Sequence, residues 1–172
     1  MSERVVVDPR SQLKISTRAK GLLSRLAHDL EMEATIEGDG NRDGDRYEGT
    51  MTVRIDSVRV VGTLKHNELD RNVLSSADCA EIERKIRHEV FRGEPEITIR
   101  VKGDDVRVCF GERMTTVRPK LEVHARDAET EVHATCSVTM RALGLAEVKG
   151  PLGAFSLKDD VEIEANIIVH RA

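Results

Sequence analysis

The chain has 172 residues, of which 34% are charged in both signs, for a formal net charge of -4; that describes a solvated surface rather than a polyelectrolyte. Aromatic residues make up 2%, with no Trp and one Tyr, which excludes a stacking platform for bases and counts against a nucleic-acid partner. No apolar run approaches the roughly 20 residues a spanning helix needs, so no transmembrane segment is predicted.

Taken in chain order, the opening MSERVVVDPRSQ has Glu3 and Asp8 flanking three valines. This is not the pattern of a secretory leader, and a cytoplasmic protein is expected. Leu13, Ile15 and Thr17 alternate with Lys14 and Ser16, and Leu30, Met32, Ala34 and Ile36 alternate with Glu31, Glu33 and Thr35; this is the period of half-buried strands. Between them, Lys20 to Ala27 (KGLLSRLA) sets Leu22, Leu23 and Leu26 at helical spacing, a short helix placed to close one end of a barrel. A turn is predicted over Glu37 to Arg46 (EGDGNRDGDR), and Met51, Val53 and Ile55 resume the strand pattern.

A second helix is predicted from Asp78 as its cap, with Ile82, Ile86 and Val90 on one face, ending at Glu94-Pro95. Strand periodicity then returns at Ile97, Ile99 and Val101, and at Val106, Val108 and Phe110. It continues at Leu121, Val123 and Ala125, at Val132, Ala134, Cys136, Val138 and Met140, and at Val161 to Val169. Turns fall at Gly103 to Asp105 and Ala125 to Thr130. Many short strands joined tightly make one mainly β domain over residues 1–172, an antiparallel barrel of about eight strands with one or two short helices. Closure is preferred to a sandwich because it removes exposed edges.

The order of three segments resembles the YceI-like family of polyisoprenoid-binding, lipocalin-like barrels. They are Gly21 to Leu30 (GLLSRLAHDL), Leu74 to Ile99 (LSSADCAEIERKIRHEVFRGEPEITI) and Arg141 to Val161 (RALGLAEVKGPLGAFSLKDDV). Departures accompany the likeness: Val106 to Gly111 (VRVCFG) lacks the family's His, Leu143 stands where Phe is usual before Gly144, and Ile99 stands where Phe often follows the Pro. The resemblance implies a carrier that encloses an amphiphilic lipid or isoprenoid. Leu26, Leu30, Met32, Met51, Val53, Ile99, Val108, Val123, Val138, Met140 and Phe155 would line the cavity, with Arg25, His28 and Asp29 near the polar head. The alternative is a non-enzymatic interaction or structural protein, a homodimer among the options, whose barrel is simply filled by those side chains.

No catalytic constellation is present: no Gly-x-Ser-x-Gly elbow, Cys-x-x-Cys pair, phosphate loop, dinucleotide fingerprint or His-Glu-x-x-His helix. The expectation is therefore a binding protein without cofactor or metal, not an enzyme. Cys79, Cys109 and Cys136 are odd in number and widely spaced, which suits reduced buried thiols. Cys109 is read on a strand's apolar face, away from any base. A turn centred near Ala128 would set His124 across from His133 on the outer face, with Glu122 and Glu131 beside them; this is either a loose metal site or an ordinary wet sheet face. The stretch Gly144 to Gly153 precedes no helix and reads as a connecting loop at the mouth.

Overall fold

A computed structural model describes residues 1–21, 27–149 and 156–172. The alternating segments form strands, and their pairing resolves into eight staves. β1 (Glu3–Val7) and β2 (Gln12–Thr17) lie in one line, each pairing with β14 (Asp160–Arg171) on one side and β4 (Asp29–Asp43) on the other. Asp8 to Ser11 bulge out between them. β5 (Arg46–Arg54) and β6 (Arg59–Lys65) form a second composite stave along β4, interrupted by the 3-10 turn Ile55–Ser57.

The third composite stave closes the barrel. β10 (Arg113–Val117) pairs with β9 (Asp105–Phe110), whereas β11 (Lys120–Ala125) pairs with β12 (Glu129–Thr139), and the change of partner falls at Arg118-Pro119. Proline suits that point because it has no N–H to offer either ladder. β4, β8 (Glu96–Lys102), β9, β12 and β14 are single-strand staves, every neighbouring pair is antiparallel, and β14 returns to pair with β1 and β2. The architecture is the up-and-down barrel that the periodicity predicts.

One end of the barrel carries the helix, and the other carries the β4–β5 hairpin. At the hairpin end, β4 and β5 continue their ladder to Asp43 opposite Arg46, leaving only Gly44 and Asp45 as the turn. Most of the predicted turn over Glu37 to Arg46 is therefore strand. Gly40 and Gly49 face each other there, each so close to the opposite strand that a Cβ on either would collide with the partner's backbone. Those glycines permit a tight, coiled ribbon rather than breaking it.

At the other end, α1 (Ser76–Lys85) continues into one wide π turn, Ile86–Val90. Its cap is Ser75, not Asp78: the Ser75 hydroxyl accepts from the Asp78 N–H at 3.1 Å, and the Asp78 carboxylate accepts from the Ser75 N–H at 2.9 Å. Asp78 is thus the reciprocal member of a capping box. The Glu83 carboxylate accepts from the Val60 N–H at 3.0 Å, fastening the helix to the edge of β6. Phe91 meets Phe110 edge to face, with ring centroids 5.4 Å apart.

The first predicted helix falls largely on residues 22–26, outside those described; Lys20 itself belongs to a two-residue strand, β3 (Ala19–Lys20), paired with β13 (Ser156–Leu157). A further short strand, β7 (Glu68–Asp70), forms an arm on β6. No helix among the described residues is long and apolar enough to cross a membrane.

Candidate functional site

Successive side chains of a strand point to opposite faces, so each stave sends one apolar row inward. On one flank the rows meet and pack: Leu13, Met32, Ala34, Ile36, Val53 and Ala165 are buried against one another. A second cluster packs Val108, Phe110, Val117 and Leu143 against one another; over the rest of the interior the rows stay apart. The described residues surround a cavity of about 1250 Å³, whose wall draws on β1, β2, β4, β5, β8, β9, β11, β12 and β14. Leu121 and Val123 show what this means locally, since both belong to the cavity wall yet are 52% and 56% exposed. All six residues of β11 are exposed, on both faces, so it is the void itself rather than this exposure that sets the interior apart from a filled core.

Of the residues expected to line the cavity, Leu30, Met32, Met51, Val53, Ile99, Val108, Val123, Val138 and Met140 form part of its wall. Met32, Val53, Val108 and Met140 are also buried, so they anchor the wall to packed core. His28 stands at the helical end, exposed and on the cavity rim. Its neighbour Asp29 has a different task. The Asp29 carboxylate accepts from the Ala19 N–H at 2.8 Å and from Arg18 at 3.4 Å, tying β4 to the chain leaving β2, and it is not on the wall. Arg25, Leu26 and Phe155 lie outside the described residues.

The structure adds wall residues that the sequence reading left out. Ile82, Ile86 and Val90, recognised as one helix face, turn that face into the helical end of the cavity. Thr17 and Cys136 complete inward rows already visible in the alternation. Burial pushes the Cys136 thiol above its ordinary value, because a thiolate would lose hydration among these aliphatic neighbours. At the hairpin end, Arg42 sits 5.6 Å over the Tyr47 ring and donates from Nε to the Gly44 carbonyl at 2.8 Å. That pair sets an amphipathic group at the far end, where Asp39, Asp45, Glu48 and Asp104 also line the cavity beside Arg42 and Arg46.

Lys85, Glu89, Glu147 and Lys149 also belong to the cavity wall, and other charges form ion pairs on the outer face. Lys14 bonds Glu164 at 2.7 Å, which raises the lysine's affinity for its proton; Arg18 bridges Asp29, Glu162 and Asn67. Two expectations about that face change. The β11–β12 register sets His124 opposite Glu131 and His133 opposite Glu122, two residues away from the predicted His-His pairing, so each imidazole faces a carboxylate rather than the other imidazole. Among the described residues no cluster of His, Cys, Asp and Glu is arranged to hold a metal. Cys109 alternates with the wall residues Val106 and Val108, which puts it on the outer face of β9 rather than the apolar one.

No protein-family model matches the chain, and no curated protein matches it in sequence. Among solved structures, the crystal structure of Burkholderia cenocepacia BcnA superposes on 94% of this chain and 98% of its own, with a TM-score of 0.60 and 11% identical residues. The likeness is one of fold. The fold is an antiparallel, lipocalin-like β-barrel. At that identity the barrel is shared while the side chains that line it are this chain's own, so the ligand must be argued from the cavity.

Proposed function

We propose that the protein binds and carries an amphiphile whose apolar chain lies inside the barrel, and that it performs no reaction on it. The observation that carries this reading is the cavity of about 1250 Å³ with aliphatic walls. Pockets for small ligands commonly measure about 300–1,000 Å³, so the space suits a long chain better than a compact metabolite. The apolar surface left in contact with water is a standing cost that a hydrocarbon would remove, at roughly 25 cal/mol for each Å² covered. Met32, Met51 and Met140 on the wall add adaptable, polarizable contacts for a chain without a fixed shape.

An isoprenoid is the finer version of the proposal. It rests on the ordered segments that resemble the YceI-like family and on walls of branched aliphatic residues. The test is native mass spectrometry of the purified protein, with organic extraction of whatever it carries. A stoichiometric long-chain amphiphile supports the reading, and its chemistry identifies the class. Protein that carries nothing and that also fails to take up a fluorescent long-chain probe would overturn it.

A further inference from the structure

An unpaired strand edge is a template for another strand, and soluble proteins blunt such edges with short length, bulges, proline or inward-facing charge. β7 shows the blunted form: it is three residues long, and two of them are acidic. The edge of β11 carries none of these devices. Its register with β12 runs unbroken from Lys120 to Ala125, it contains no proline, and its inward residues are the aliphatic Leu121, Val123 and Ala125. Among the described residues no strand bonds to that edge, and every residue of β11 is exposed.

We propose that β11 is the seam of a homodimer, in which it pairs antiparallel with β11 of a second copy about a two-fold axis at Val123. Geometry and charge select that arrangement. Residues directly opposite each other in an antiparallel pair share a face, so the axis has to fall at a residue. Midway between Glu122 and Val123 it would set the apolar row of one chain against the charged row of the other. An axis at Glu122 opposes two like carboxylates, and axes nearer either end shorten the ladder. An axis at Val123 sets Glu122 opposite the partner's His124, twice by symmetry. On the cavity side it sets Val123 against the partner's Val123 and Leu121 against the partner's Ala125. This register also continues a pattern the chain already holds. Across β11 and β12, Glu122 faces His133 and His124 faces Glu131. The outer row of the joined sheet then reads His133, Glu122, the partner's His124, the partner's Glu131, with imidazole and carboxylate in alternation. A two-fold contact requires such self-complementarity, which an unrelated strand would match only by chance. The seam ends where β11 does, because Arg126 belongs to the turn: its N–H donates to the Glu129 carbonyl at 2.8 Å and its guanidinium is held by Glu131 at 3.5 Å. On the inner side the second copy covers Leu121 and Val123, exposed wall residues of the cavity. The proposal does not depend on the carrier reading.

A seam of one strand is small beside a standard interface, so the dimer is expected to form in the micromolar range. Sedimentation velocity over increasing concentration measures it for the wild type, for Glu122→Lys and for His124→Glu. Both substitutions fall on the exposed outer face, and melting curves establish that each variant is folded. Each places two like-charged contacts in the seam and should weaken the dimer roughly tenfold or more, equivalent to about 1.4 kcal/mol. An equimolar mixture of the two variants should restore it as a heterodimer. There the introduced lysine faces the introduced glutamate, while the native His124 of one chain faces the native Glu122 of the other. Hydrogen exchange gives the second readout. The dilute monomer has fast and slow amides in alternation along β11, and concentration should slow the fast ones; a ladder formed within one barrel would not respond to dilution. A dimer indifferent to both substitutions, or one that the mixture fails to restore, overturns the seam. A wild type that stays monomeric at all concentrations also overturns it, and slowing of the same amides by an unrelated extended peptide would then assign the edge to a foreign strand.

Discussion

Two valines on inward rows of the same barrel provide a direct test of the cavity. Val53 is 3% exposed and packed into the core flank; Val123 is 56% exposed on the cavity wall. Replacing each by Phe adds the same ring to two different surroundings. Val53 touches the cavity but is packed among Leu13, Met32, Ala34 and Ile36, so the ring must push these neighbours aside, and overpacking of this kind costs about 1–3 kcal/mol. At Val123 it enters the void and covers apolar surface; on the order of 40 Å² newly buried is worth about 1 kcal/mol in the stabilising direction. One kcal/mol moves the melting temperature of a domain this size by roughly 2–4 °C. Thermal unfolding followed by circular dichroism should therefore show Val53→Phe melting several degrees below wild type, and Val123→Phe melting at or above it. Uptake of a long-chain probe should fall in Val123→Phe because the ring occupies ligand space. Equal destabilisation by the two substitutions would refute the reasoning, since it would mean that the interior is filled at both places.

Three further outcomes follow from particular residues. The Cys136 thiol, with its proton held by burial, should react slowly with a charged thiol reagent at neutral pH and more slowly still when a long-chain probe is bound. Peptide mapping of the labelled protein reads this, and labelling as fast as an unfolded control would count against a lined cavity at that position. Asp8 is held at about 2, below its ordinary 3.8, first by side-chain and backbone hydrogen bonds with Arg10. A depressed carboxyl contributes stability that is present above the unfolded value and is lost as pH falls from about 4 towards 2. The melting temperature should decline through that window, and Asp8→Asn should flatten the decline; identical pH profiles would remove the role. Ser75→Ala breaks the capping box and should cost about 1 kcal/mol, or roughly 2–4 °C of melting temperature, while Asp78→Ala, which leaves the Ser75 hydroxyl in place, should cost less.

The barrel was legible because its signal is local. Alternation at Leu30 to Ile36 or Val132 to Met140 decides which face is apolar, and closure follows once every stave has one wet face. What escaped was set by contacts between distant residues. EGDGNRDGDR looks like a loop until Gly40 and Gly49 are seen facing each other across the ribbon. Ser75 and Asp78 both suit a cap, and only the start of the helix distinguishes them. The β11–β12 register hung on placing one turn, and an offset of two residues replaced a His-His pair with two His-Glu pairs while keeping every face correct. Within the site, the alternation identified wall positions such as Met51 and Val138, but no pattern distinguishes a wall that meets its opposite from one that does not. The Asp29 carboxylate was similarly ambiguous, because its bonds to Ala19 and Arg18 depend on where the chain leaves β2.

The stave made of β10 and β11 shows how this barrel closes and where it stays loose. A strand bonded on both sides has all its amides engaged, whereas one bonded on a single side leaves alternate N–H groups free. Among the described residues β11 pairs with β12 alone, since β10 has taken β9 and the partner change at Arg118-Pro119 leaves the other edge of β11 without a ladder. That free edge coincides with the two most exposed aliphatic residues of the wall, Leu121 and Val123. Slow hydrogen exchange is therefore expected throughout β5, which is bonded to β4 and β8, and along β14, which is bonded to β12 and to β1 and β2. In β11, protected and fast-exchanging amides should alternate, with the fast ones on the side away from β12. Uniform protection along β11 would mean that its outer edge has found a partner and that the barrel closes by a continuous ladder. Alternation would establish that this stave's ladders run to β9 over its first half and to β12 over its second, leaving the wall beside Leu121 and Val123 the least constrained part of the cavity.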